Sequence, residues 1–143
     1  MPTISSSVTV DKAAGPVFDF MVEPRNQAEW SPNFLSLDSA PSAPPALGTR
    51  FRGTIKNFGS MDLEYSKFER PREFEMSTRH RLGRMTHSFR FEPQGEQTVI
   101  RQTVGFAPSG AARLIAPLMT PLLRRMVTNL DRRIEATVAK RLP

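Results

Sequence analysis

Residues 72–107 read REFEMSTRHRLGRMTHSFRFEPQGEQTVIRQTVGFA. Three runs of alternating apolar and polar residues stand in this stretch: Arg72 to Arg81, Met85 to Glu92 and Gln97 to Ala107. Side chains alternate across an extended chain, so each run predicts a strand with one buried face. The breaks between them, Leu82-Gly83-Arg84 and Pro93-Gln94-Gly95-Glu96, are short and hold glycine, as hairpin connections require. Strands joined this tightly pair antiparallel.

Outward from this stretch, Thr49 to Asn57 and Met61 to Phe68 are further strand candidates, bounded by Phe58-Gly59-Ser60 and Glu69-Arg70-Pro71. Phe34 to Ser39 and Ile4 to Val10 bring the set to seven. After the first strand, Gly15-Pro16 leads into Val17, Phe18, Phe20 and Met21, a short amphipathic helix with proline near its start. Asn26 to Trp30 carries a second short helix, and Ser39 to Pro45, SAPSAPP, reads as a loop. Pro108-Ser109-Gly110 opens a long amphipathic helix with apolar residues at Leu114, Leu118, Leu122, Met126, Leu130, Ile134 and Val138, flanked by Ile115, Met119, Leu123 and Val127. Pro117 and Pro121 predict a kink or a split in its first half. The expectation is a single α+β domain over 1–143: a strand at 3–10, short helices within 14–30, an antiparallel meander over 34–107 and a C-terminal helix over 110–141.

The apolar members of each strand assign its inner face. Phe51, Gly53 and Ile55 share one face, as do Met61, Leu63 and Tyr65. The next sets are Phe74, Met76, Thr78 and His80, then Met85, His87, Phe89 and Phe91, then Thr98, Ile100, Gln102, Val104 and Phe106. A two-residue turn at Leu82-Gly83 pairs Thr78 with His87, Met76 with Phe89 and Phe74 with Phe91. A loop from Pro93 to Glu96 pairs His87 with Gln102, Phe89 with Ile100 and Phe91 with Thr98. One polar row, Thr78–His87–Gln102, then crosses an otherwise apolar face. The outer face carries Arg52, Lys56, Glu64, Glu73, Glu75, Arg79, Arg81, Arg90, Glu92 and Arg101, with Glu75 beside Arg90. It mixes signs and holds no aromatic residues, so it reads as a solvated surface and not as a nucleic-acid platform.

The order strand, two short helices, meander and long helix is that of the helix-grip fold. The marks along the chain are Val8-Thr9-Val10 leading to Pro16-Val17-Phe18, then Trp30, then Gly48-Thr49-Arg50-Phe51. Phe68-Glu69-Arg70-Pro71, Phe91-Glu92-Pro93 with Gly95 and Thr98, and Leu114 to Pro117 follow. In this ordered set the chain resembles the START-like, or SRPBCC, superfamily, in its polyketide cyclase/dehydrase-like branch. The resemblance implies a seven-stranded curved antiparallel sheet wrapped round the long helix, with a cavity between them. It also implies a hydrophobic small-molecule ligand such as a lipid, sterol or polyketide. It supplies no invariant catalytic motif, so the fold by itself implies a pocket and not a reaction.

The cavity expected on these grounds is lined by Trp30, Phe51, Ile55, Leu63, Tyr65 and Met76 on one side. Thr78, His87, Phe89, Gln102 and Val104 continue the wall, and Met119, Leu122 and Met126 supply the helix side. His87 and Tyr65 are the candidate catalytic residues: a neutral imidazole accepts a proton or a hydrogen bond near pH 7, and a phenol donates one. The plainer reading makes His87 a ligand- or water-binding group and Tyr65 part of the wall. No metal is expected, since no inner-face carboxylate would complete a shell around His80 and His87. No organic cofactor is expected, because neither a glycine-rich phosphate loop nor a nucleophile motif is present.

The chain has 20 Lys and Arg against 14 Asp and Glu, a net charge of +6 that raises the question of an anionic partner. The unbalanced charge concentrates on the last helix, at Arg113, Arg124, Arg125, Arg132, Arg133, Lys140 and Arg141 against Asp131 and Glu135. Such a run is more often a solvated face that snorkels over an apolar stripe; the functional alternatives are transient contact with an anionic membrane surface or, less favoured, with RNA. Zero cysteines exclude disulfides, thiolate metal sites and a thiol nucleophile. No run approaches the roughly 18 apolar residues of a membrane span, and MPTISSSVTV lacks the pattern of a secretory leader, so a cytoplasmic protein is expected, monomeric or dimeric. The functional expectation is a carrier or sensor of a hydrophobic small molecule. The alternatives are a cofactor-free polyketide cyclase/dehydratase using cavity polar groups, and an anionic-surface or RNA-interacting protein acting through the basic helix.

Overall fold

The computed structural model describes residues 3–81 and 83–143. Strand β1 (Thr3–Val10) is followed by α1 (Ala14–Val22), a 3-10 turn (Pro24–Asn26) and α2 (Gln27–Trp30). The meander comprises β2 (Phe34–Ser39), β3 (Arg50–Ile55), β4 (Gly59–Glu69), β5 (Glu73–His80), β6 (Gly83–Gln94) and β7 (Gln97–Pro108), and α3 (Ala112–Arg141) closes the chain. The seven strands form one antiparallel sheet in the order β1-β7-β6-β5-β4-β3-β2. Because β1 and β2 lie at opposite edges, α1 and α2 must carry the chain across one face. With α3 they cover that face, in the expected helix-grip arrangement.

The inner faces follow the expected parity, but both predicted registers are displaced by two residues. Met76, not Thr78, lies opposite His87, and Phe74 lies opposite Phe89. His87 faces Val104, Phe89 faces Gln102 and Phe91 faces Ile100. A slip of two preserves every side chain's face, so alternation cannot distinguish the two registers; turn geometry must. The predicted Leu82-Gly83 turn falls partly on Leu82, outside the described residues, while Gly83 belongs to β6 and pairs with His80. A side chain at Gly83 would run into the Ala107 carbonyl and Pro108 on β7, so this glycine serves close strand approach. At the other hairpin the strands pair as far as Gln94 and Gln97. This leaves a two-residue Gly95-Glu96 turn with Gly95 at φ 63°, in place of the four-residue loop.

The same slip changes the outer face. Arg90 lies opposite Glu73 and pairs with it at 3.5 Å, while Glu75 lies opposite Ser88 and accepts its hydroxyl at 2.8 Å. Arg50–Glu64 at 2.6 Å, Arg52–Asp62 at 2.9 Å and Arg101–Glu92 at 2.9 Å cancel further sheet charge. Exposed pairs of this kind add little stability.

Helix α3 runs as one 30-residue element through Pro117 and Pro121, so the predicted split is absent. Each proline removes an amide partner from the carbonyl four residues back. Both prolines are exposed, where water can satisfy those carbonyls. The buried stripe also differs from the expected one: it is Ala112, Ala116, Leu123, Val127, Leu130, Ile134 and Val138. Leu114, Leu118 and Leu122 are 83%, 77% and 42% exposed. A strict four-residue repeat advances about 400° per step and drifts round the helix, whereas the buried stripe mixes steps of three and four.

The buried apolar residues divide into two clusters. The larger joins Val17, Phe18 and Met21 of α1 and Trp30 of α2 to Phe51, Tyr65, Phe74, Phe89 and Phe91 of the sheet and to Leu130, Ile134 and Val138 of α3. The smaller joins Ile4, Val104 and Phe106 to Leu123 and Val127, with Met85, Met119 and Met126 packed against it. The C-terminal half of α3 is tied to α2 by Arg133 and Thr137, which donate to the Glu29 carbonyl at 2.8 and 3.0 Å, and by Arg141 to the Glu29 carboxylate at 2.9 Å.

Candidate functional site

A cavity of about 90 Å³ lies between the sheet and α3, lined by members of both clusters. Ile55, Met61, Leu63, Met76, Met85 and Val104 form its sheet wall, and Leu123, Met126, Val127 and Leu130 its helix wall. Gln27, Ser31, Asn33 and Phe34 close one end, with Phe58 of the β3–β4 turn. The polar residues of the sheet wall are Ser77, Thr78 and His87. The lining includes four methionines, whose unbranched thioethers change shape at small cost.

Of the residues expected round the cavity, Ile55, Leu63, Met76, Thr78, His87, Val104 and Met126 line it. Trp30, Phe51, Tyr65, Phe89, Gln102, Met119 and Leu122 do not. Trp30 is fully buried and stands edge-on to Phe89 at 5.3 Å, as core. Phe51 packs on Phe34 and Tyr65. Phe89 lies behind His87, its ring stacked on the imidazole at 4.3 Å. Met119 packs with the smaller cluster, and Leu122 is turned outward by the drift of its repeat. The Gln27–Phe34 end was missed because nothing in the local sequence tells where α2 crosses the sheet.

Tyr65 is buried, and its hydroxyl donates to the Val22 carbonyl at the end of α1. Burial, with the Glu23 charge adding to it, pushes the phenol well above its ordinary range. The hydroxyl therefore stays protonated and engaged, which places Tyr65 as an anchor for α1 away from the cavity.

Gln102 is fully buried and joins His87 to helix α3. Its amide nitrogen donates to Asp131 Oδ1 at 2.5 Å and to the Val127 carbonyl at 3.3 Å. Ser6 donates to the other Asp131 oxygen at 2.6 Å. With both amide hydrogens committed to acceptors, Gln102 Oε1 must face the imidazole, and it lies 2.9 Å from His87 Nε2. An oxygen accepts, so Nε2 carries the proton, and the Nδ1 lone pair, without a partner among the described residues, can accept. Burial lowers the His87 pKa to about 4, against the opposing effects of the Gln102 hydrogen bond and the Asp131 charge. The imidazole is thus neutral at physiological pH, an acceptor held in one orientation on an apolar wall. Among the described residues, no group of three His, Cys, Asp or Glu is placed to hold a metal ion.

A family model described as "Polyketide cyclase / dehydrase and lipid transport" matches residues 1–135. The chain belongs to this family. Among solved structures, the chain is similar to the Zhui aromatase/cyclase from Streptomyces sp. R1128, with a TM-score of 0.82 at 12% identity over 99% of this chain and 96% of that one. It is also similar to norcoclaurine synthase from Thalictrum flavum in complex with dopamine and hydroxybenzaldehyde, with a TM-score of 0.69 at 13% identity over 99% and 88%. A conserved protein from Geobacillus kaustophilus gives a TM-score of 0.68 at 12% identity over 97% and 96%. Identities this low establish the shared fold. No curated protein matches the chain significantly.

Proposed function

We propose that this polyketide cyclase/dehydrase-family protein is a carrier or sensor for a neutral, hydrophobic, lipid- or polyketide-like molecule. The ligand occupies the cavity between sheet and α3 and donates one hydroxyl or N–H to Nδ1 of His87. The observation that carries this reading is the Gln102 contact, which fixes the imidazole as an acceptor. A carboxylate placed there would meet a lone pair in an apolar surround, so a neutral donor is preferred. The resting cavity of about 90 Å³ is smaller than most ligand pockets, and its methionines supply the means to widen.

A second reading rests on the link from His87 through Gln102 to the Asp131 carboxylate, which would steady an imidazolium during proton transfer in a cofactor-free cyclase. A pKa near 4 makes His87 a weak base, so binding ranks first. In the enzyme reading, His87→Ala abolishes turnover while affinity falls only modestly.

The test is a calorimetric titration with 2-naphthol and 2-naphthoate. Saturable binding of 2-naphthol is expected, with at least about a tenfold preference over the carboxylate. His87→Leu should remove the preference. Met76→Trp, which fills the cavity and leaves the Gln102 chain intact, should remove binding of both. Absence of saturable 2-naphthol binding, or unchanged binding by a folded Met76→Trp protein, would refute the proposal.

A further inference from the structure

We propose that the first half of α3 docks this protein onto an anionic lipid surface beside the cavity. Leu114 and Leu118 are 83% and 77% exposed, and Ile115 and Leu122 are 44% and 42% exposed. At about 100° per residue these four side chains share roughly a 100° arc of the helix, and Met126 and Leu123 continue that arc into the cavity wall. The exposed row and the cavity lining are therefore one continuous apolar band.

The charge beside this band is positive and unneutralised. The sequence has no Asp or Glu between Gln97 and Leu130. Arg113 and Arg124 are exposed roughly 80–100° round the helix from Leu114, and Arg125 falls within the row, long enough to carry its guanidinium to a headgroup. None of these three side chains makes a hydrogen bond or ion pair among the described residues. In the C-terminal half Arg133 and Arg141 differ, being engaged with Glu29, while Arg132 is also without a partner among the described residues. Exposed leucines flanked by free arginines match an interface of acyl chains beneath anionic headgroups. A second copy of the chain matches less well, since a symmetric contact through this row brings the same unpaired arginines together.

The inference goes beyond ligand binding in the cavity and does not depend on it. It is tested by co-sedimentation with vesicles of phosphatidylcholine alone and of equal parts phosphatidylcholine and phosphatidylserine. Binding to the phosphatidylserine vesicles is expected, weakening as sodium chloride is raised, with little binding to phosphatidylcholine. Arg124→Glu with Arg125→Glu should weaken it by about tenfold or more. Leu114→Ser with Leu118→Ser should abolish it. These positions are exposed, so both variants should keep the parent's melting temperature and 2-naphthol affinity, which separates failure of docking from failure of the cavity. Equal binding to both vesicle types, or no binding by the parent protein, would overturn the proposal. So would a dimer by ultracentrifugation that Leu114→Ser with Leu118→Ser converts to monomer.

Discussion

Phe18→Ala is expected to lower the free energy of unfolding by about 3–5 kcal/mol. Phe18 is fully buried on α1, and its ring meets Phe68, Phe74 and Phe91 edge-to-face at 5.4, 5.7 and 5.4 Å. Truncation would leave a void bounded by three rings, of which Phe74 and Phe91 stack on each other and Phe68 packs on Tyr65, with little room to collapse. Each edge-to-face contact also contributes beyond its area. Urea unfolding followed by circular dichroism should show a lower midpoint with an unchanged slope. A loss under about 1 kcal/mol would mean that α1 is not seated in the larger cluster.

Gln102→Leu is expected to cost about 2–4 kcal/mol, although it is close to isosteric and more apolar. It removes the donor to Asp131 Oδ1 and the Val127 carbonyl, and the acceptor of the His87 Nε2 proton. Among the described residues Asp131 would keep only Ser6, at 2.6 Å. Leaving buried polar groups unmatched costs more than the deleted hydrogen bonds contributed. The result should also be chemical: with Gln102 gone the imidazole is free to change tautomer or rotate, and the 2-naphthol preference should fall towards that of His87→Leu. A Gln102→Leu protein as stable as the parent in urea, with the same preference, would show that the chain from Asp131 to His87 is not formed.

The fold was legible because two signals agreed. Alternation in Arg72–Ala107 marked the strands and their inner faces, and the helical period after Gly110 marked the last element. The register was not legible, since Met76 and Thr78 are equally acceptable opposite His87 when only the face is known. The stripe on α3 is obscured for a related reason: Leu114, Leu118 and Leu122 look like a core row until its drift is compared with Leu123, Val127 and Leu130. His87 and Gln102 could be placed on one face from parity, and their contact survives the slip as a diagonal across β6 and β7. Asp131 could not be added, because its orientation towards Gln102 depends on how α3 crosses the sheet. Hydrophobicity alone points Trp30, Phe51 and Phe89 to the cavity, but an aromatic ring fills space as readily as it lines it.

The central claim is that His87 presents a neutral acceptor, with its proton on Nε2, to an apolar cavity. Unfolded histidine titrates near 6.5, and burial lowers this one to about 4. As the pH falls from 6.5 towards 4 the unfolded chain therefore takes up the proton first, and the fold loses stability across that window; above it the contribution is complete. The chain has two histidines, so long-range proton–nitrogen NMR spectra of histidine-labelled protein, with His80→Gln for assignment, report His87 directly. The account predicts an Nε2–H tautomer with a titration midpoint near 4 for as long as the fold persists. A midpoint near 6.5, or a proton on Nδ1, would contradict it.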